Sequence, residues 1–474
     1  MHLIRLYFRL ELKKLWLNKA MLTALCAFFG LLLYGLYNGQ QHISEIHQEQ
    51  TQLQQEEAEK VKALMAKAAT FAVSESTDVY NNPMTPYEVG GRSARRYLLK
   101  KPTAFATLSK GESDLFPNAY SISLRDEAFT ILGEGGHLSN PVIMATGTFD
   151  FAFVMVWLLP LLVILYAYDF LSEEKETGTL SLLRAQPVSM MKILWAKTIV
   201  KFSIITVTVL AFSLAGMGIM GVALFSNANQ LLLLLGAVMA YILFWFLLSL
   251  LINLFRQHSI TNLSILFACW LLLVLVVPTT LSILADDQHT VPSRIQLVND
   301  IRTATQEIDN DASRLLDAYY YDHPELAPED NKMSMASYVY KNALKDKMIE
   351  EAARPTVVAY REQARQQQEY VFLRKFYSPA LIMQSIFDEM AGHTLRDFLA
   401  FQSQADDARK QWRSYFASKI FRDEMMTRAE IEALPTFRYQ PDSAGARTLL
   451  QSVAGLLGFV LIVGCFVGVM GFRT

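Results

Sequence analysis

Charge is missing from long stretches of this chain. From Phe202 to Phe255 there is no Asp, Glu, Lys or Arg, and none from Gln257 to Ala285. Of 474 residues, 52% are hydrophobic and only 19% charged. About 20 helical residues cross a hydrocarbon core, so such runs exclude an ordinary soluble protein. Cysteine is scarce too: Cys26, Cys269 and Cys465 each sit inside an apolar run. That excludes a disulfide framework and a Cys-based zinc site. No G-x-x-x-x-G-K-[ST] occurs, so the chain binds no nucleotide through a P-loop. No HExxH and no G-x-S-x-G occurs either. The histidines at 42, 47, 137, 289, 323 and 393 have no metal-ligand spacing and read as solvated surface residues. Neither long polar stretch interleaves a basic patch with aromatics, which argues against nucleic acid. "GMGIMG", Gly216 to Gly221, mimics a dinucleotide fingerprint, but it lies inside an apolar run. There small residues serve close helix approach. No catalytic residue and no metal ligand is assigned.

What is present is a polytopic α-helical membrane protein with six transmembrane helices. The spans read as 20–38, 149–168, 202–225, 231–255, 261–285 and 447–471. Lys and Arg near span ends set orientation. They cluster in the N-terminal segment (Arg5, Arg9, Lys13, Lys14, Lys19) and between spans two and three (Lys175, Arg184, Lys192, Lys197, Lys201). "SNANQ", Ser226–Gln230, on the opposite side, carries no charge. Both termini are therefore expected in the cytoplasm. The basic lead-in lacks a small-x-small cleavage site and reads as an uncleaved anchor. Residues 1–19 are amphipathic, with Leu3, Ile4, Leu6, Leu10 and Trp16 set against Arg5, Arg9, Lys13 and Lys14. Such a helix lies in the membrane interface with its cations toward the lipid headgroups.

Two insertions, 39–148 and 286–446, are expected outside the cytoplasm. The first holds 10 basic and 13 acidic residues, the second 20 and 26. The first opens on "QHISEIHQEQTQLQQEEAEKVKALMAKAATFA", rich in helix formers, and reads as a helix rising out of span one. Beyond Ser74 it turns loop-like, with clusters of Pro, Gly, Asn and Ser. The second predicts helices over Arg294–Tyr321, Met335–Lys375, Pro379–Ala391 and Thr394–Phe421. Ser378-Pro379 is a good helix start. These helices are expected to form hairpins packed on the first insertion or on a partner chain. The span hydroxyls and amides (Ser203, Thr206, Thr208, Ser213, Ser249, Asn253, Thr261, Asn262, Ser264) read as helix–helix hydrogen-bonding groups.

The segment 169–201, "DFLSEEKETGTLSLLRAQPVSMMKILWAK" over Asp169–Lys197, is too long for a simple connector. Gly178 can stop a helix and Thr179 can cap a new one, "LSLLRA". Gln186-Pro187 breaks it and Ser189 caps the next. One short transverse helix results. This pattern resembles the ABC-type-2 permease family, in which an acidic E-x-x-x-G-T-L segment precedes a P-[VI]-S turn and a Lys at the start of span three. Here these are Glu174 to Leu180, Pro187-Val188-Ser189 and Lys197. The two insertions resemble a subgroup with a large exported domain of unassigned function.

The resemblance implies a permease subunit of an ATP-binding-cassette transporter, an exporter in the bacterial inner membrane with periplasmic insertions. The short helix would dock in a groove on a separate ATPase. Glu173, Glu174, Glu176, Gly178, Thr179, Leu180, Leu183 and Arg184 would carry that ATPase coupling. The chain itself would hold no cofactor and catalyse nothing, with ATP and Mg on the ATPase subunits. Other implied partners are a second permease subunit, the lipid bilayer and an extracytoplasmic protein. The alternative is an ATPase-driven mechanical or scaffolding complex that moves its outer domains without translocating a substrate.

Overall fold

The computed structural model describes residues 2–70, 82–111, 113, 116–124, 149–170, 172–179, 190–224, 227–255, 258–291, 296–308, 321, 335–422, 424–441 and 444–473. Among them are six helices long and apolar enough to cross a membrane: Lys19–Ala69, Phe151–Glu176, Lys192–Ile219, Ala228–Asn253, Ser259–Gln288 and Gly445–Met470. They form one bundle. Its two ends differ: one bears the insertions, the other the chain termini and the segment after span two. These are called the insertion face and the terminal face.

α1 (His2–Leu17) lies at the terminal face. Asn18 separates it from α2 (Lys19–Thr70), and its Oδ1 accepts from the Met21 amide at 3.1 Å. α2 is unbroken for 52 residues, about 78 Å at 1.5 Å per residue. It is both the first span and the helix predicted to rise from it. Gly35 and Gly39, one turn apart, let other chain segments touch its backbone. A Cβ at Gly35 would lie 2.7 Å from Asp150 backbone, and one at Gly39 2.0 Å from the Thr107 carbonyl oxygen.

The second span starts at Asp150, whose side chain accepts from the Phe153 amide at 2.7 Å and the Lys110 amide at 2.9 Å. It continues through α3 (Leu159–Ala167) to α4 (Ser172–Glu176). α5 (Met190–Ile219) forms the third span and α6 (Ala228–Asn253) the fourth. α5 starts at Met190, directly after the expected cap at position 189, and runs on into the apolar stretch from Phe202. Lys197 and Lys201, which flank the expected span boundary, are buried along this helix. The fifth span comprises α7 (Ser259–Trp270), a π-helical stretch Leu271–Val276 and α8 (Val277–Gln288). α12 (Ala444–Arg473) forms the sixth. Gly216 of "GMGIMG" does serve close approach: a Cβ there would lie 2.8 Å from Leu36 and 3.2 Å from Leu33 of the first span.

The second insertion supplies α9 (Met335–Arg374), α10 (Pro379–Ala391) and α11 (Leu395–Phe421). Ser378 caps α10 as expected, accepting from the Ala380 amide at 3.1 Å, and Thr394 closes a capping box with Asp397 on α11. α10 packs on Ala106–Leu108 of the first insertion and also against the spans. Its Ile382, Met383, Ile386 and Phe387 are fully buried in the same core as the spans. It packs on the fourth and sixth spans and on the π stretch of the fifth. The fifth span prepares that contact. Pro278 has no N–H to donate, and the π register would aim it at the Leu273 carbonyl. The Ser378 hydroxyl donates to that carbonyl instead, at 2.5 Å.

A second, smaller core lies beyond the insertion face. β1 (Arg96–Leu99) and β2 (Ala119–Ile122) pair antiparallel, Arg96 opposite Ile122 and Leu99 opposite Ala119. Leu98, Tyr120 and Ile122 cover Leu64 of α2 together with Phe401, Trp412 and Phe416 of α11. The long α2 thus joins the two cores.

Candidate functional site

At the terminal face, six acidic or amide side chains meet at the exit of the second span. The sequence makes this exit acidic, "DFLSEEKE", directly after an apolar run. Each acid finds a different neighbour. The Asp169 carboxylate accepts from Lys201 Nζ at 3.0 Å, and Lys201 also donates to the Tyr166 carbonyl at 3.0 Å. Glu174 pairs with Lys197, whose Nζ also donates to the Phe170 carbonyl at 3.3 Å. Glu173 pairs with Lys14 of α1 at 2.7 Å. Glu176 accepts from the Ser259 backbone amide at 2.8 Å, at the first turn of α7. A carboxylate there satisfies an orphan donor and the positive end of the helix.

Amides complete the joint. Asn253 of α6 donates to the Tyr168 carbonyl at 3.0 Å, and Asn262 of α7 donates to Asn253 Oδ1 at 3.1 Å. Both asparagines are fully buried. The exit of span two is thereby tied to α1 and to spans three, four and five. Of the remaining span hydroxyls, Ser203, Thr208, Ser249 and Ser264 donate to the carbonyl four residues earlier in their own helices. Those do not join helices as expected; Asn253 and Asn262 do.

The ion pairs differ in surroundings. Lys197 and Lys201 side chains are 5% and 6% exposed, whereas Lys14 and Glu173 are 53% and 37% exposed. Burial alone would lower the Lys14 pKa. The Glu173 hydrogen bond and the fields of Glu173, Glu11 and Glu174 outweigh it and hold the ammonium above its ordinary value. Burial pushes the Tyr7 phenol up, with Glu174 and Glu11 adding to the effect.

Of the predicted coupling residues, Glu173, Glu174 and Glu176 are thus engaged within the chain. Gly178 has the expected left-handed conformation, φ +74°, and a Cβ there would meet open space. Thr179 is exposed and its hydroxyl lies 3.0 Å from that of Thr177. Leu180, Leu183, Arg184 and the predicted short helix lie outside the described residues. Arg9 and Lys13 are exposed on α1; the Arg5 side chain lies outside the described set. Sequence reasoning missed Asp169, Lys201, Asn253 and Asn262 as members of this joint. The available signal was polarity at the ends of runs otherwise free of it.

Toward the insertion end lies a second polar group, built differently. Lys375 is buried, donating to Ser452 Oγ at 2.7 Å and Ser385 Oγ at 3.2 Å, 3.7 Å from the Phe372 ring centre. Burial lowers its pKa to about 8. Lys100 donates to the Gly392 carbonyl at 2.5 Å beneath the Phe398 ring, and burial lowers it to about 8 as well. His393 is not the solvated surface residue expected. It is buried, its Nδ1 lies 2.6 Å from the Ser109 carbonyl, and burial together with Lys100 lowers its pKa to about 3. His42 is half-buried, 2.8 Å from Ser113 Oγ.

The six-span bundle, with a polar joint at the exit of span two, defines a polytopic membrane subunit. The chain matches the ABC-2 family transporter protein family over residues 7–339, and it belongs to that family. It is a permease subunit of an ABC transporter, a class that works with an ABC ATPase. A domain of unknown function (DUF3526) matches residues 294–440, which includes α9, α10 and α11. No curated protein matches this chain.

Proposed function

We propose that the terminal face is cytoplasmic and that the segment 169–201 receives the ATPase of an exporter. The observation that carries this reading is the convergence on the span-two exit. α1 and spans three, four and five are all bonded to Tyr168–Glu176. A push on the loop beyond Gly178 therefore reaches four elements at once. In this reading Glu173, Glu174 and Glu176 transmit the push, while Gly178, Thr179, Leu180, Leu183 and Arg184 form the contact. ATP and Mg stay on the partner. The insertions face the periplasm of a bacterial inner membrane, where they receive or hand on the substrate or meet an outer protein. A second permease subunit, identical or related, completes the complex. The test is purification in mild detergent of the chain with its ATPase. Gly178→Glu should abolish co-purification while leaving the membrane subunit folded. Undiminished recovery of the ATPase with that variant would overturn the docking claim.

One observation favours a mechanical role beside export. α2 runs unbroken from the terminal face to the second core, where Leu64 is buried and Arg428 donates to the Ala68 carbonyl at 3.1 Å. A helix of that length carries displacement outward without a substrate. ATPase turnover that moves the second core in empty vesicles would favour this reading over transport.

A further inference from the structure

α1 has two faces. One lies on the joint: Glu11 is buried and Lys14 reaches Glu173. The other is exposed and carries Arg9, Leu10, Lys13, Trp16 and Leu17. Arg9 and Lys13 are one turn apart, and Trp16 follows three residues later, so two cations and an indole share a stripe. Glu11, on the buried face, is the only acid in "HLIRLYFRLELKKLWL". A single residue separates this helix from the first span, so the stripe is held at the bilayer surface by the chain itself. Trp at the end nearest the span suits the interfacial belt. The surface is thus basic, amphipathic and anchored where headgroups are.

We infer that the α1 stripe binds anionic phospholipid headgroups, and that bound lipid competes with Glu173 for Lys14. An exposed ion pair is weak, and the pull of an anionic bilayer on one lysine at its surface is of similar strength. Neither partner dominates, so headgroup charge decides how firmly α1 holds the span-two exit. Lys197 and Lys201 are shielded by burial and keep their carboxylates. Lipid therefore acts on one of the joint's ties and spares the rest. The binding stands on α1 alone; only its consequence for ATPase coupling rests on the docking reading.

The experiment uses the full chain in nanodiscs of phosphatidylcholine with and without phosphatidylglycerol, read by amide hydrogen exchange without any ATPase. Phosphatidylglycerol should slow exchange over residues 8–17 and speed it several-fold over 172–179. The paired change Arg9→Gln and Lys13→Gln should remove both responses, and Arg9→Lys with Lys13→Arg should keep them. Glu173→Gln should exchange fast at 172–179 in either lipid while its α1 still slows with phosphatidylglycerol. Equal exchange at 172–179 in both lipids would overturn the inference, as would a response that survives loss of Arg9 and Lys13. If inorganic phosphate added to phosphatidylcholine discs reproduces the effect, the site is for phosphate and the lipid assignment fails. A failed docking reading would appear only in ATPase recovery, not here.

Discussion

The molecule buries lysines at both ends of its bundle and treats them oppositely. Lys197 and Lys201 at the terminal face have carboxylate partners, Glu174 and Asp169. Lys375 and Lys100 toward the insertion end rest on hydroxyls, a carbonyl and aromatic rings. A paired buried cation is costly to strip of its partner, because the charge left behind is uncompensated. A cation held by neutral oxygens gives up its proton more easily, and its pKa falls. The terminal face is therefore an ionic joint. The other end is a dipolar junction that senses pH.

The largest effect expected from this contrast is at Asp169. Asp169→Asn leaves Lys201 without its carboxylate and should destabilise the bundle by about 3–5 kcal/mol, seen as a lower midpoint in thermal denaturation in detergent. Adding Lys201→Met should recover most of the loss. Next, Trp412→Ala removes the largest side chain of the second core and its hydrogen bond to the Gly90 carbonyl. It should cost about 3–5 kcal/mol, and limited proteolysis should show the second core opening before the spans. Lys375→Met, by contrast, should be tolerated within about 1 kcal/mol, since it swaps a buried cation without a salt bridge for an apolar chain of like length. A midpoint falling as far as in Asp169→Asn would erase the distinction between the two ends.

The pH response has a definite sign. His393 folds with a pKa near 3 against 6.5 for the free side chain, so the unfolded chain binds more protons between those values. Stability should rise as pH rises from about 3 to 6.5, and His393→Gln should flatten that slope. Lys100 and Lys375, lowered from 10.5 to about 8, should add a second rise between those values. The smallest effect is at the exposed tie: Lys14→Gln should change stability by less than about 1 kcal/mol in zwitterionic lipid, read as a small shift of the thermal midpoint.

Much of the fold was legible because apolarity and caps are local. The runs from Phe202 onward announce spans, and Ser378, Thr394 and Gly178 mark helix ends by side-chain chemistry alone. The joint was only half legible. Its acids stand out in the sequence, but Lys14 and Glu173 are 159 residues apart, and no spacing rule joins them. Lys197 and Lys201 were read as cations that set orientation near a span end; their pairing with Glu174 and Asp169 is a long-range contact that no spacing announces. α10 was expected to pack on the first insertion or a partner chain; its further burial against the spans rests on long-range contacts that no local pattern announces. The unsatisfied carbonyl made by Pro278, which receives Ser378, is visible only in three dimensions.

The most direct test of the joint as a transmission is ATPase turnover of the purified complex with the paired change Glu174→Gln and Lys197→Gln. Both residues lie inward of the exposed turn at Gly178, so the variant should still bind the ATPase. Its permease-stimulated turnover should fall to the rate of the free ATPase. Full stimulation in that variant would contradict the account.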